Sequence, residues 1–340
     1  MITTGIPGKG RSHSVIGIVG TGSYLPAHVV TNSEVGEPAG VSGEWIHAKT
    51  GIQNRRRAKP DEATSDLAVI AGRAALESAG IRASDLALVV VATSTPDSPQ
   101  PPTACVVADE LGTLPGTAAF DVNAVCSGFV FALTTAERIL RDSDSSYALV
   151  IGADVYSRIL NPADRKTAIL FGDGAGAVVL GPAPAPDRGL IAGRLASFGA
   201  DRELIEVPAG GSRLPATAET IDEGLHHFRM NGRGVRDFVS EQVPPAVRDF
   251  LADTGVTPAD IDRFVPHQAN GRMLEDLARL LEIPFERTCT TFEEFGNTGS
   301  ASVAVTLDRA ARSGELHPGD LVLLAGFGGG MAMGLALLRW

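Results

Sequence analysis

The chain has 340 residues, 44% of them hydrophobic and 20% charged, so it can bury one large core or two fused smaller ones. Its formal net charge of −11 argues against non-specific binding to nucleic acid or to anionic lipid, because either polyanion would repel the protein. The 3 cysteines include no C-x-x-C pair, which argues against a disulfide scaffold and a structural zinc site. We therefore expect a soluble protein of the reducing cytoplasm, without a metal, nucleic-acid or membrane partner.

The first residues of the chain, 1–13, mix glycine, threonine and basic residues and lack the apolar stretch of a secretory signal. We interpret them as a flexible leader. No later apolar run reaches the length of a membrane span.

Short β-branched runs then alternate with alanine-rich amphipathic stretches, a pattern typical of parallel sheets covered by helices. The predicted fold class is α/β. In the first half we predict strand Ser14–Val19, helix Thr64–Ala79, strand Leu86–Ser94, helix Pro102–Leu111, strand Ala118–Asn123, helix Ser127–Arg141 and strands Tyr147–Ala153 and Gly176–Leu180. In the second half we predict helix Arg233–Thr254, strand Arg263–Pro266, helix Arg272–Leu281, strand Arg287–Thr290, helix Ser300–Ser313 and strands Leu321–Gly326 and Met333–Leu338.

The two halves of the chain repeat one another. Leu86–Ser94 with its following loop is similar to Arg263–Pro266 with its own loop, and Tyr147–Ala153 is similar to Leu321–Gly326. We infer a duplicated α/β unit with halves 14–182 and 183–340, joined at a proline-rich segment. The stretch 200–224 lacks periodicity, and we predict a surface excursion over one end of the sheet.

Cys126 is the most informative single residue, because it stands where predicted strand Ala118–Asn123 turns into helix Ser127–Arg141. Free amides and the positive end of the dipole at a helix start favour thiolate over thiol. We therefore expect a nucleophile for acyl groups that is ionised near neutral pH. A cysteine in an alanine-rich helix is otherwise more often inert packing, and we interpret Cys105 and Cys289 as packing residues of the core or of an interface.

His267 and Asn297 occupy similar positions in the predicted fold. His267 follows strand Arg263–Pro266 and precedes a helix, so it stands at the carboxyl end of a strand, where open α/β sheets bind their ligands. Asn297 lies in a glycine-flanked turn that leads into helix Ser300–Ser313. His267, Asn297 and Cys126 can therefore lie in one cluster.

Three other patterns have plainer interpretations. The run from Gly17 to Gly22 lacks the third glycine of a dinucleotide fingerprint, so packing of the first strand explains it better. The run from Gly172 to Gly176 lacks the lysine and hydroxyl residue of a phosphate loop, so it indicates a tight turn against the sheet. The pair His226-His227 has no third ligand at a suitable spacing, so we predict surface residues.

Several of these motifs occur together, in order, in one known family. They are Asp121-Val-Asn-Ala-Val-Cys-Ser-Gly-Phe129, Phe171-Gly-Asp-Gly-Ala-Gly-Ala177, Val265-Pro-His-Gln-Ala-Asn270, Gly296-Asn-Thr-Gly-Ser-Ala-Ser302 and Gly326-Phe-Gly-Gly-Gly330. Over residues 14–340 the chain resembles the β-ketoacyl-acyl-carrier-protein synthase III family. The resemblance implies the thiolase fold, in which duplicated βαβαβαββ halves form a five-layered αβαβα arrangement.

The resemblance also implies a reaction. Cys126 would take an acyl group from acyl-CoA, and His267 and Asn297 would then help malonyl-acyl-carrier-protein lose carbon dioxide. The carbanion would attack the thioester and give a β-ketoacyl product that primes fatty-acid or polyketide synthesis. Neutral donors suit the developing enolate, and the backbone N–H groups of Cys126 and Gly329 suit the second oxyanion. Coenzyme A is then a substrate, and no cofactor is expected.

The resemblance further implies a binding site for coenzyme A and a homodimer. Trp45 would stack on adenine with Arg165 on the opposite face, although a tryptophan at this position also suits helix packing. Lys49 stands where relatives often carry arginine, so it keeps the charge but loses the bidentate fork. The remaining predicted contacts along the tunnel and its basic mouth are Lys166, Arg236, Asn270 and Arg272.

Two alternatives remain open at this point. One is an acyltransferase on the same fold that moves the acyl group to a carrier protein, hydroxyl or amine without forming a carbon–carbon bond. The other is a non-catalytic thiolase-fold subunit, which the presence of Cys126, His267 and Asn297 together argues against. The sequence also leaves open whether the primer is acetyl, branched, longer or aromatic.

Overall fold

A computed structural model of the protein describes residues 15–141 and 147–340, so the predicted leader at 1–13 lies outside the described residues. The strands are β1 (Ile16–Tyr24), β2 (His28–Thr31), β3 (Asn54–Arg57), β4 (Leu86–Ala92), β5 (Ala118–Val122), β6 (Tyr147–Asp154), β7 (Gly174–Pro182), β8 (Gly189–Ser197), β9 (Ile205–Glu206), β10 (Arg229–Met230), β11 (Arg263–Pro266), β12 (Leu321–Gly328) and β13 (Ala332–Arg339). The α-helices are α1 (Asn32–Ala39), α2 (Gly43–Thr50), α3 (Thr64–Ala79), α4 (Thr103–Leu111), α5 (Gly128–Arg141), α6 (Ala218–Asp222), α7 (Gly232–Asp253), α8 (Gly271–Leu281), α9 (Phe292–Phe295) and α10 (Ser302–Ser313).

Two mixed sheets carry the architecture, and they share one pairing pattern. The first has the strand order β1-β7-β6-β4-β5, and the second has the order β11-β12-β13-β8. In the first, β4 pairs parallel with β6, and β6 pairs antiparallel with β7. In the second, β11 pairs parallel with β12, and β12 pairs antiparallel with β13. Each sheet ends on an antiparallel strand, β1 or β8.

Strand side chains alternate between a central core and two outer cores, as the period of two along a strand requires. In β4, Leu88 and Val90 face the central core, while Val89 and Val91 face the outer core under α3 and α4. The central core contains α5 and α10 between the two sheets. The other outer core lies under α7 and α8. The layers are therefore helices, sheet, helices, sheet, helices, and the predicted five-layered thiolase fold is confirmed.

The glycines of β1 confirm that packing explains the early glycine run. A Cβ on Gly20 would lie 2.6 Å from the backbone of α3, and one on Gly22 would lie 2.3 Å from it. The run from Gly172 to Gly176 packs as tightly, since a Cβ on Gly172 would lie 2.3 Å from the carbonyl oxygen of Phe295. Both runs therefore serve close approach between elements.

One predicted strand is wrong. The segment predicted as strand Arg287–Thr290 contains the end of a 3₁₀ turn, Phe285–Arg287, followed by a single parallel bridge from Thr288 to Phe264 of β11. The bridge lies beside β11 in the second sheet, as β5 lies beside β4 in the first sheet. A single bridge is too short to form a ladder of paired residues. Cys289 next to it is buried as predicted, whereas Cys105 is exposed on α4 and does not belong to the core.

Several elements were missed by the sequence patterns. They include the helices α1 and α2, the ribbon of β2 and β3, and the nine-residue strand β8. The 200–224 stretch, predicted as a surface excursion, contains β9 and α6, and its Ile205 lines the cavity described below.

Substitution of Gly176 by alanine should destabilise the fold. Its Cβ would lie 2.5 Å from the backbone nitrogen of Val305, so β7 and α10 would have to separate. We expect a loss of about 2 kcal/mol in the free energy of unfolding, measured by guanidinium denaturation. Gly211→Ala is the control, because nothing lies within 4 Å of its Cβ. Equal midpoints for the two variants would contradict the packing described here.

Candidate active site

Cys126 lies in a strained turn between β5 and α5. The preceding residue, Val125, has φ 47°, a left-handed conformation that a β-branched side chain rarely adopts. A 3₁₀ turn over Val125–Ser127 then leads directly into α5. The turn presses against β12, where a Cβ on Gly328 would lie 2.6 Å from the Cys126 Cβ. Only glycine at that position leaves room for the thiol.

The ionisation state of Cys126 differs from the prediction. Burial raises the pKa of its thiol to about 12, and the nearby Asp154 carboxylate raises it further. Backbone N–H groups of Cys126 and Gly329 act in the opposite direction, as the helix start predicts, but they do not prevail. The predicted thiolate near neutral pH is therefore wrong for this structure, because the desolvation cost exceeds the effect of the helix terminus.

His267 follows β11 and is buried, with 2% of its surface exposed. Burial lowers the pKa of its imidazole from 6.5 to about 3, so the ring is neutral at pH 7. The Nδ1 atom lies 2.7 Å from the Oγ of Ser302, at the start of α10. Since the described residues offer that hydroxyl no other acceptor, we assign it as the donor. The proton of the ring then lies on Nε2, and the ring acts as a neutral donor.

Asn297 is also held in one orientation. Its backbone bridges to Phe171, with the Asn297 N–H donating to the carbonyl of Leu170 at 2.8 Å. Its side-chain Oδ1 accepts from the N–H of Gly299 at 2.9 Å. Because this bond engages Oδ1, the amide Nδ2 is the group left to donate to another molecule.

These three residues line one cavity of about 530 Å³. The wall around them is mainly apolar, and it includes Phe171, Ile205, Phe228, Met230, Met273 and Phe327. The His267 ring stands edge-on to Phe327, with centroids 5.5 Å apart. The cavity therefore combines a buried thiol and two neutral donors at one end of a largely apolar passage.

The other end of the cavity is exposed and basic. Trp45, in the first turn of α2, has 37% of its surface exposed. Lys49, Arg165 and Lys166 line the same cavity and are also exposed, and no acidic residue of the described chain lines it. This end of the passage favours an anionic ligand.

The other residues that were predicted to bind coenzyme A or to stabilise an oxyanion lie at different places around the cavity. Asn270 lines the cavity, but its side chain also caps α8 by accepting from the N–H of Met273 at 3.0 Å. Arg272 is exposed beside α2, with its guanidinium 3.5 Å from the carbonyl of Ala48. Arg236 is not among the lining residues of this cavity and lines a neighbouring groove between α7 and α8. The backbone N–H of Gly329 lowers the pKa of the Cys126 thiol, and its role as an oxyanion donor stays a prediction.

Sequence patterns missed three residues at the site. Ser302 lies inside the motif that identified Asn297, but its bond to His267 joins residues 35 positions apart. Tyr156 is buried against Phe171, with stacked rings 4.5 Å apart, and its hydroxyl lies 2.9 Å from the Oγ of Ser94. Asp154 lies beside both. The only local signal was that Tyr156 and Asp154 follow the predicted strand Tyr147–Ala153.

Residues 15–141 and 147–340 contain no group of three or more His, Cys, Asp or Glu side chains placed to hold a metal ion. The predicted surface pair His226-His227 is half-buried, with ring centroids 4.0 Å apart. Among the helices in the described part of the chain, none has the length and apolar character needed to cross a membrane.

Comparison with known proteins identifies the family. The family described as 3-oxoacyl-[acyl-carrier-protein (ACP)] synthase III matches residues 120–199, and its C-terminal part matches residues 251–340. A curated relative, acetoacetyl CoA synthase NphT7 of Streptomyces sp. (strain CL190), is 57% identical over 325 residues, covering 95% of this chain and 98% of its own. The chain belongs to the 3-oxoacyl-ACP synthase III family.

Solved structures of this family agree with the fold. The 3-oxoacyl-ACP synthase III of Pseudomonas aeruginosa PAO1 is 38% identical with a TM-score of 0.87, covering 96% of this chain and 98% of its own. The priming β-ketosynthase of the R1128 polyketide pathway is 35% identical with a TM-score of 0.88, covering 98% and 99%. The protein is a synthase III enzyme, an acyltransferase of the condensing type that primes fatty-acid or polyketide synthesis. The non-catalytic alternative is therefore wrong.

The buried His267 should make the synthase acid-sensitive. Its pKa is about 3 in the folded protein against an ordinary 6.5, so its contribution to stability is complete above pH 6.5 and falls as the pH drops towards 3. We expect wild type to lose about 2 kcal/mol more unfolding free energy than His267→Gln between pH 6.5 and pH 5, by urea denaturation.

The control is His28→Gln, on exposed β2. It should show the same acid dependence as wild type. If His267→Gln also matched wild type at both pH values, the neutral buried imidazole would be excluded.

Proposed function

We propose that this synthase loads an acetyl group from acetyl-CoA onto Cys126 and condenses it with malonyl-CoA to give acetoacetyl-CoA. The observation that carries the proposal is the pair of neutral N–H donors, His267 Nε2 and Asn297 Nδ2, in one cavity with the buried thiol. The name of the 57% identical relative, acetoacetyl CoA synthase, supports the choice of product.

The donors suit decarboxylation. Loss of carbon dioxide from a malonyl thioester leaves an enolate whose negative charge lies on the thioester oxygen. A neutral imidazole and a carboxamide donate to that oxygen without carrying an acidic proton to the carbanion carbon. The low pKa of His267 supports this role, because an imidazolium would protonate the carbanion before it reached the thioester of Cys126.

The second oxyanion forms when the Cys126 thioester is attacked. The backbone N–H groups of Cys126 and Gly329 lower the pKa of the thiol, which supports a place for them beside the atom that will carry the acyl group. Donors of this kind contribute about a hundredfold to a thousandfold each to the rate.

The neighbourhood of the thiol favours a short acyl group. Tyr156, Phe171 and Phe228 pack against one another, with ring centroids 4.5 to 5.6 Å apart. Tyr156 is fully buried behind Cys126, and the other two rings form part of the cavity wall. Aromatic rings packed in this way leave little room for a long chain on the sulfur.

The coenzyme A thioester would enter from the exposed, basic end. We propose that Trp45 stacks on the adenine with Arg165 on its opposite face, and that Lys49 and Lys166 bind the phosphates. Asn270 would contact the pantetheine arm, and Arg272 lies close enough to α2 to add a further charge. Arg236 faces a different groove, so we assign it no contact with coenzyme A.

Malonyl-acyl-carrier-protein is the second candidate for the malonyl substrate. The basic residues at the cavity entrance favour it. The charges on the surface beside that entrance weaken the case for the carrier protein. Arg236, Arg272 and Arg279 each have an acidic neighbour on the same helix, at 3.9, 3.2 and 2.9 Å. Such pairs contribute little stability, but they reduce the net positive charge that an acidic carrier protein would meet.

We also propose a cytoplasmic homodimer that needs no cofactor. The edge strand β5 supports the dimer, because all five of its residues are only half-buried in one chain. An edge strand of this kind presents unpaired backbone groups to a second copy. The exposed Cys105 on neighbouring α4 would then lie near the interface.

An assay with two malonyl substrates decides between malonyl-CoA and malonyl-acyl-carrier-protein. Purified enzyme receives acetyl-CoA with either malonyl-CoA or malonyl-acyl-carrier-protein, and carbon dioxide and β-keto product are measured. We expect kcat/KM for malonyl-CoA to equal or exceed that for the carrier protein. Asn297→Ala should reduce condensation about a hundredfold, the usual effect of one oxyanion donor, while Cys126 still becomes acetylated in intact-protein mass spectra.

If the enzyme used only malonyl-acyl-carrier-protein, the proposal that malonyl-CoA is the malonyl substrate would be overturned. Acyl transfer without release of carbon dioxide would instead support the acyltransferase alternative.

A further inference from the structure

Asp154, the last residue of β6, joins the end of the first sheet to the turn before α10. Its side chain has no exposed surface, and within the described residues it accepts five hydrogen bonds. Oδ1 accepts from the N–H of Ser94 at 2.8 Å and from the hydroxyls of Ser94, Thr93 and Thr95 at 3.0, 3.2 and 3.0 Å. Oδ2 accepts from the N–H of Ser300 at 2.7 Å.

The bond to Ser300 acts on the turn that carries Asn297. Asn297 Oδ1 accepts from the N–H of Gly299 at 2.9 Å, and the next N–H along the chain is the one that Asp154 holds. Gly299 lies between these two bonds and has φ 60°. Because glycine has no Cβ to limit rotation of its neighbouring peptides, a released turn would be free to move the Gly299 N–H away from Asn297.

The packing at this turn requires the glycine. A Cβ at Gly299 would lie 2.3 Å from Tyr156 Cε2 and 2.5 Å from Oδ2 of Asp154. The close approach of the turn to the carboxylate therefore introduces a flexible residue. The hydrogen bond to Oδ2 of Asp154 limits the flexibility of that residue.

We propose that Asp154 is a positioning residue for condensation, which holds the N–H of Ser300 and so keeps the amide of Asn297 directed at the malonyl group. This inference rests on the proposed role of Asn297 as a donor to the enolate. The described residues that line the cavity do not include Asp154, so it acts through the turn and not on the substrate. Decarboxylation needs the oriented amide, whereas loading of Cys126 does not.

Asparagine in place of Asp154 would break one bond selectively. The four donors around Oδ1 select the oxygen of the new amide for that position, because an amide nitrogen only donates. The amide nitrogen would then face the N–H of Ser300, donor against donor. Ser300 has no exposed surface, so its N–H would be left buried without this acceptor. The bonds to the segment after β4 would survive.

The same substitution does not hinder the first half of the reaction. The Asp154 carboxylate raises the pKa of the Cys126 thiol, so removal of its charge lowers that pKa. Acetylation of Cys126 by acetyl-CoA should therefore be at least as fast in Asp154→Asn as in wild type. A general loss of structure would slow both halves, so a split between the two halves identifies positioning.

The experiment measures the two halves separately in the full-length enzyme. Intact-protein mass spectrometry follows acetylation, and acetylated enzyme is then mixed with malonyl-CoA or malonyl-acyl-carrier-protein, whichever wild type uses. We expect Asp154→Asn to condense about tenfold to a hundredfold more slowly, at most the effect of losing the Asn297 donor itself. Added to Asn297→Ala, it should slow condensation by less than about threefold more, because both substitutions remove the same contact.

Asp308→Asn is the matched control. Asp308 is a buried carboxylate on α10 itself, and it accepts from the hydroxyls of Thr21 and Ser23 at 2.8 and 2.6 Å. Its substitution removes a carboxylate that ties the same helix to the first sheet, but at a position away from the Asn297 turn. Both halves of the reaction should stay close to their wild-type rates.

Hydrogen exchange gives a readout that needs no turnover. Amides in residues 297–301 should exchange about tenfold faster or more in Asp154→Asn, since the N–H of Ser300 loses its acceptor. The same amides should be unchanged in Asp308→Asn.

Ser300→Ala tests the proposal even if Asp154→Asn fails to fold. It removes the hydroxyl that donates to the carbonyl of Ala92 at 2.8 Å, but it keeps the N–H that Asp154 holds. Condensation should therefore stay close to wild type. If Ser300→Ala condensed as slowly as Asn297→Ala, the hydroxyl bond and not the carboxylate would hold the turn, and the proposal would be overturned.

Equal slowing of acetylation and condensation in Asp154→Asn would also overturn the positioning role, as would unchanged exchange of residues 297–301. If Asn297→Ala condensed at the wild-type rate, the proposed function would fail instead. The exchange rates would then still decide whether Asp154 holds the turn.

Discussion

The close contact between β12 and the start of α5 is the constraint on which the site depends. A Cβ on Gly328 would lie 2.6 Å from the Cβ of Cys126, and one on Gly326 would lie 2.8 Å from the Cα of Ser127. This contact brings the second sheet against the turn that holds the nucleophile, and it stabilises Val125 in its left-handed conformation. Because β11 lies beside β12, the same contact brings His267 towards the thiol.

Burial at this contact determines the chemistry of the groups it assembles. It keeps the imidazole neutral, raises the pKa of the thiol and leaves Asp154 as the one buried acidic group described beside it. A site with neutral donors stabilises an enolate without protonating it. The aromatic packing of Tyr156 against Phe171 supports the proposed restriction of the acyl group.

The sequence predicted the layers, most strands and the identity of the candidate residues, because these depend on local signals. Cys126, His267 and Asn297 each follow a strand or a glycine turn, and the apolar periodicity marked α3 and β11 at their observed bounds. Properties that depend on contacts between residues far apart in the sequence were not predictable. The thiol pKa is set by desolvation in the assembled core, and the partners of Ser302 and Tyr156 lie 35 and 62 residues away. Strand β8 was missed because its half-exposed residues weaken the apolar pattern.

The central claim is that Cys126 carries the acyl group in a cavity where backbone amides hold the thioester oxygen and neutral side chains await the malonyl group. A crystal structure of the enzyme after exposure to acetyl-CoA alone tests it most directly. The account predicts an acetyl group on Cys126 Sγ, its oxygen within hydrogen-bond distance of the backbone N–H groups of Cys126 and Gly329, and its methyl group towards the Tyr156 ring. An unmodified Cys126 with the acetyl group on another residue, or a thioester oxygen bound to His267 instead, would contradict it.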